Sequence, residues 1–172
     1  VSVDLGVAYR IGQFQFGARG SNLTAPEFDG FDNEVDVNGN GVIEPEERFT
    51  VPDVEIDPQV TIGAAWIPWS NLVLTAEGDL LQAGTVSPRY ETQHIRAGLE
   101  WDALDVLALR AGAYRNIAES AAPLVVTGGV GIDLWAVQID LHGAVSPGDT
   151  AEIDGDEYPE VARIGLGIKS FF

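Results

Sequence analysis

The chain is 172 residues long and 45% hydrophobic, and it carries 27 Asp and Glu against nine Lys and Arg, a formal charge of −18. Mean hydropathy is only +0.07, and no long uncharged apolar run exists, which excludes a membrane-spanning helix. The absence of cysteine excludes disulfides, thiol catalysis and Cys-based zinc sites, and so acidic a chain is a poor partner for DNA, RNA or anionic headgroups.

The opening VSVDLGVAYR already alternates and lacks an initiator Met, so it reads as a processed product or a C-terminal piece of something longer. Alternation predicts nine strands, at about 1–10, 13–22, 58–67, 70–82, 90–101, 105–116, 123–134, 137–146 and 160–172. In the third, Val60, Ile62, Ala64 and Trp66 share one face, with Gln59, Thr61, Gly63 and Ala65 on the other. The eighth sets Val137, Ile139, Leu141 and Val145 against Gln138, Asp140, His142 and Ser146. The ninth sets Ile164, Leu166, Ile168 and Phe172 against Arg163, Gly165, Gly167 and Lys169.

Connections near 11–12, 68–69, 102–104 and 135–136 are tight, while those at 23–57, 83–89, 117–122 and 147–159 are longer and rich in Gly, Pro, Ser and acid. Short and long alternate throughout. Strands of about ten residues in this rhythm predict an all-β, antiparallel, transmembrane-type β-barrel, as one domain or fragment over 1–172. In such barrels the short turns face the periplasm. The expectation is therefore a bacterial outer membrane, with lipid around the wall, the long acidic loops extracellular and Phe172 at the periplasmic rim. Trp66, Trp69, Trp101 and Trp135 all fall beside short turns, as an interfacial girdle requires. An odd strand count implies further strands upstream, making this the C-terminal part of a larger barrel.

The second loop holds DVNGNGVIEPEE at 36–47. Its spacing is that of an EF-hand or dockerin-like calcium loop, offering Asp36, Asn38 and Asn40 by side chain, Val42 by backbone carbonyl, Glu44 directly or through water, and Glu47 through both carboxylate oxygens. Gly41 allows the bend and Ile43 turns inward. Pro26 and the polar stretch after it give no entering helix, and Pro45 opens at most one short turn, so the expectation is a lone calcium loop. The bland alternative is an acidic surface loop that binds nothing. A second cluster, Asp149, Glu152, Asp154, Asp156 and Glu157, lacks ligand spacing and reads as a solvated loop.

Opposite the apolar stripe lie Glu77, Asp79, His94, Arg96, Glu100, Arg110, Asp133, Asp140, His142, Arg163 and Lys169. A barrel interior accounts for these mixed charges, since half-buried charges need partners. The histidines sit in no HExxH, and no Gly-x-Ser-x-Gly elbow or phosphate-cradling loop accompanies them, so no catalytic residues and no enzyme activity are predicted.

From about residue 90, HIRAGLEWDALDVLALRAGAYRN, VVTGGVGIDLWAVQIDLHGAV and ARIGLGIKSFF resemble the C-terminal half of outer-membrane proteins of the conjugal-transfer TraF group and, more distantly, FadL-type barrels. The resemblance implies transport of hydrophobic or other small molecules, or service in an envelope complex linked to transfer or secretion. The expected function is a non-enzymatic outer-membrane channel or envelope scaffold with a Ca²⁺-ordered loop. The alternative is a calcium-dependent adhesion or self-assembly module, whose partners are other envelope proteins or copies of itself. A soluble calcium-binding β protein is the third possibility.

Overall fold

The structure, a computed structural model, describes residues 1–37, 39–85, 90–104, 106–148, 150–153 and 156–170. Nine strands make its main sheet: β1 (Leu5–Ile11), β2 (Phe14–Ser21), β3 (Gln59–Trp69), β4 (Leu72–Asp79), β5 (His94–Leu104), β6 (Leu107–Asn116), β7 (Val125–Leu134), β8 (Val137–Val145) and β9 (Ala162–Ser170). Each pairs antiparallel with its chain neighbours. The expected nine strands are therefore present, with ends moved by a few residues; the first starts at Leu5 rather than Val1.

Register sorts the sheet into two faces, because cross-strand partners point the same way. One row runs Tyr9, Phe16, Ala64, Ala76, Ala97, Ala113, Val126, Val145, Ala162, with bulkier apolar rows beside it. A row on the other face runs Arg10, Gln15, Ala65, Thr75, Gly98, Gly112, Thr127, Ala144, Arg163. That second row begins at the last residue but one of β1 and ends at the second residue of β9, so the strands slide along one another progressively. The slide is about five residues, or roughly 16 Å over roughly 38 Å of sheet, a tilt of roughly 23° at ordinary strand spacing. Stagger of this kind accompanies barrel curvature.

The sheet curls around its polar face, which carries two grooves of about 850 and 890 Å³. It does not close into a barrel. Nine antiparallel neighbours leave β1 and β9 running in the same direction, so no antiparallel seam joins these edges.

Among the described residues no second layer covers the sheet. The chain exposes 12375 Å², whereas a compact soluble protein of its mass exposes about 8,200 Å². Val125 is the one buried hydrophobic side chain among the described residues, while Ile164, Leu166 and Ile168 of β9 are 84, 66 and 65% exposed. Trp66, Trp69 and Trp101 stand on the apolar face toward the short-turn edge, where Trp69 and Trp101 flank Leu72 from either side. Trp135 lies in the turn after β7 and is fully exposed.

The long connections contain more structure than the loops expected from sequence. The described residues of 22–58 form an arm, with Glu27–Phe28 paired to Val54–Glu55 and Phe31–Glu34 paired to Arg48–Val51. Ala83–Gly84 pairs with Glu91–Thr92, and Thr150–Ile153 with Asp156–Pro159. Alternating Phe and Val residues in 27–55 supply strand propensity that composition alone hides behind the acids. Phe172, the expected terminal signal, lies outside the described residues.

Candidate functional site

Two groups of residues carry chemistry: the loop at the tip of the arm and the charged polar face.

At the tip, the ladder leads from Glu34 into the loop, and a single 3₁₀ turn, Pro45–Glu47, closes it. No helix flanks the loop, as Pro26 and Pro45 imply. Asp36 accepts three backbone N–H bonds, with Oδ1 taking those of Gly39 (2.7 Å) and Asn40 (3.1 Å) and Oδ2 that of Gly41 (2.7 Å). Asn40 Oδ1 accepts the N–H of Val42 at 2.7 Å. Glu47 Oε1 accepts from Val37 at 3.0 Å and Oε2 from Glu44 at 3.1 Å, and Glu47 is only 6% exposed. Gly41 has φ of +80°, the left-handed conformation that an L side chain rarely adopts. Ile43 is half-buried.

Of the six expected ligands, the structure thus joins Asp36, Asn40, Val42, Glu44 and Glu47 in one hydrogen-bonded loop, with the two end carboxylates as its hubs. Asn38 lies outside the described residues. The donor set is all oxygen, which suits Ca²⁺. Among the described residues, however, no group of three or more His, Cys, Asp or Glu is gathered in metal-holding geometry. In the second acidic cluster, Glu152 stands directly opposite Glu157, a repulsive pairing in a hairpin; Asp149, Asp154 and the side chain of Asp156 lie outside the described residues.

On the polar face the register supplies the ion pairs that sequence alone left unassigned. Arg110 on β6 donates through Nε to Glu100 on β5 and through Nη1 to Asp140 on β8 at 2.7 Å. Its reach to β8 passes over β7, where Gly131 leaves the space: a Cβ there meets Asp140 Oδ1 at 2.8 Å and Arg110 Nη1 at 3.0 Å. Arg96 on β5 pairs with Glu77 at 3.0 Å and approaches Asp79 at 3.5 Å. His142 packs over Gly165 of β9, and a groove lined by Glu100, Arg110, Asp140, His142 and Lys169 runs along these strands.

Asp79, at the end of β4, is the most deeply held charge of the wall, 4% exposed. It accepts from Thr61 Oγ1 (2.8 Å), His94 N (2.9 Å) and Gln59 Nε2 (3.3 Å), tying three strands together where the long loops begin. His94 Nδ1 lies 3.6 Å from its carboxylate. Other polar side chains repeat this task on the same rim. Asn116, at the end of β6, accepts from Gln93 N and donates to Glu91 O, and Ser146, just after β8, accepts from Val161 N. Near the start of β1, Asp4 accepts from Arg19 and from the Asn22 backbone, and the Arg19 guanidinium and that N–H together hold its carboxyl below the usual range. Sequence reading placed Asp79 and Ser146 on the polar face without this anchoring role and missed Asp4 and Asn116, although polar residues where alternation ends were a visible signal.

The fold and the site define the class as an all-β antiparallel wall with one apolar and one charged face. The family model described as F plasmid transfer operon, TraF, protein matches residues 1–79 and supports a TraF-like relationship over that span. The matched span ends on Asp79 and contains β1–β4 and the arm, so it lies ahead of residue 90, where the sequence resemblance was read. No curated protein and no solved structure matches the chain.

Proposed function

We propose that this chain is part of the wall of an outer-membrane β-barrel, non-enzymatic, acting as a channel or envelope scaffold. Its apolar face lies in lipid, its charged face lines the lumen, and its long connections stand outside the cell. The observation that carries this reading is the uncovered sheet: roughly 4,000 Å² of surface beyond that of a compact soluble protein of this mass, with a continuous apolar face and Val125 the one buried hydrophobic side chain among the described residues. In water such a face aggregates; in a bilayer it is solvated. Open edges at β1 and β9 are intolerable in hydrocarbon, so an odd number of further strands joins them and makes every seam antiparallel.

In the same reading the loop at 36–47 takes one Ca²⁺ through Asp36, Asn38, Asn40, Val42, Glu44 and Glu47, the ion adding rigidity to a loop already held by its end carboxylates. Two Asn in place of Asp keep the ligand charge modest, which suits extracellular calcium concentrations. The second reading, calcium-dependent adhesion or self-assembly, is favoured by the length of the arm.

Two measurements test the proposal. Partition into detergent together with heat-modifiable gel migration is expected; a monodisperse protein in plain buffer overturns the membrane reading. Calorimetric titration of the detergent-solubilised chain with CaCl₂ is expected to show about one ion bound, and to show none in the Asp36→Ala, Glu47→Ala double variant. Heat signals equal in both proteins dismiss the loop as the site and leave the wall reading standing.

A further inference from the structure

The arm carries a second feature independent of calcium. In the ladder of Phe31–Glu34 with Arg48–Val51, Phe31 faces Val51 and Asn33 faces Phe49, and the pairing runs on through Val35 N to Glu47 O. Phe31, Phe49, Val51 and Val35 therefore share one side of the ribbon, at 60, 52, 41 and 43% exposure. The other side is polar and self-satisfied, with Thr50 Oγ1 donating to Asp32 at 2.7 Å and Arg48 paired to Glu34 at 3.3 Å. A two-stranded ribbon whose apolar side is this exposed is marginal in water and gains stability from a cover.

We infer that this apolar side is a docking surface for a cationic polypeptide segment with alternating apolar residues. Charge selects the occupant. Residues 22–58 hold eleven acids and Arg48 as the sole base, and 146–161 add six acids and no base. A second copy's arm would bring a like charge of −10 against it, and one bound Ca²⁺ would still leave −8. The chain's own acidic segment at 146–161 is no better an occupant. A segment alternating Lys or Arg with Val or Phe places its apolar side on the phenylalanines and its cations among the rim carboxylates, the arrangement that binds and steers at once.

The test uses a fluorescently labelled 12-residue peptide alternating Lys and Val, titrated by anisotropy against the full chain in detergent. The comparisons are a Lys–Ser peptide and a chain bearing Phe31→Thr and Phe49→Thr. Thr keeps strand propensity while removing the rings, and a circular dichroism spectrum matching wild type certifies the fold. The expected result is Lys–Val binding that weakens with salt and falls about tenfold or more in the double variant. Thr50→Ala, on the opposite side, leaves it unchanged. Equal affinity in wild type and variant, or Lys–Ser binding as tightly as Lys–Val, overturns the docking surface and leaves charge attraction alone. A concentration-dependent dimer abolished by the same two substitutions overturns the choice of occupant in favour of a second copy. If the chain shows no need for detergent, the wall reading fails while this binding result stands by itself.

Discussion

Replacing Asp79 with Ala is the sharpest probe of the wall. The carboxylate is 4% exposed and accepts from Thr61, His94 and Gln59 while lying 3.5 Å from Arg96. Truncation strands the His94 N–H, which cannot rotate away, and leaves the Thr61 hydroxyl and the Arg96 guanidinium short of a partner. A buried donor without an acceptor costs about 1–3 kcal/mol, and breaking a buried charge network costs about 3–5 kcal/mol. The upper range is discounted because Arg96 keeps Glu77 at 3.0 Å. A loss of about 3 kcal/mol is expected, which at a urea dependence of about 2 kcal/mol/M lowers the unfolding midpoint by about 1.5 M. Thr61→Val, which takes one donor from Asp79 and leaves the carboxylate its other partners, costs about 1 kcal/mol. Urea titrations of the detergent-solubilised protein read both. A midpoint shift of less than about 0.3 M for Asp79→Ala, on the same urea dependence, would refute the claim that this residue ties β3, β4 and β5 together.

Gly131→Val puts a branched side chain where Asp140 Oδ1 and Arg110 Nη1 already stand within 3.0 Å of a Cβ, so the Arg110–Asp140 pair separates; if the protein conducts, single-channel conductance and its cation preference change, whereas Gly128→Ala on the other face leaves both unaltered. Lowering pH releases Asp4. Because its folded pKa lies below the ordinary value, the tether to Arg19 and Asn22 is present above that ordinary value and is lost as pH falls through the folded one. The Asn22 amide resonance should report that acid titration, and Asp4→Asn should abolish it. If the loop takes Ca²⁺ as proposed, chelator treatment is expected to loosen residues 36–47 in hydrogen exchange and to spare β3–β9, since the loop's hydrogen bonds and the sheet's ladders are separate networks; protection lost throughout the sheet would contradict that division.

Much of the wall was legible in the chain because a period of two has few interpretations. Val60, Ile62, Ala64 and Trp66 alternate with Gln59, Thr61, Gly63 and Ala65, and that alone places one set on an apolar face and the other on the opposite, more polar face. Pro26 and Pro45 likewise announced a loop without a flanking helix and with a single short turn, and Gly41 its bend. The sequence read less well inside 22–58, where Phe31, Phe49 and Val51 pair across a turn of acids that masks their strand character.

Sequence by itself determined the number of wall strands, the side on which each residue points, the alternation of tight and long connections, and the oxygen-rich loop. These follow from local alternation and turn chemistry, which act over a few residues. Only the tertiary structure decided that Arg110 joins Glu100 to Asp140 across β7, that Asp79 gathers three strands, and that the edges stay open. Each depends on register and direction between residues far apart in the chain, and a one-residue slip, invisible in composition, would exchange the charged face for the apolar one.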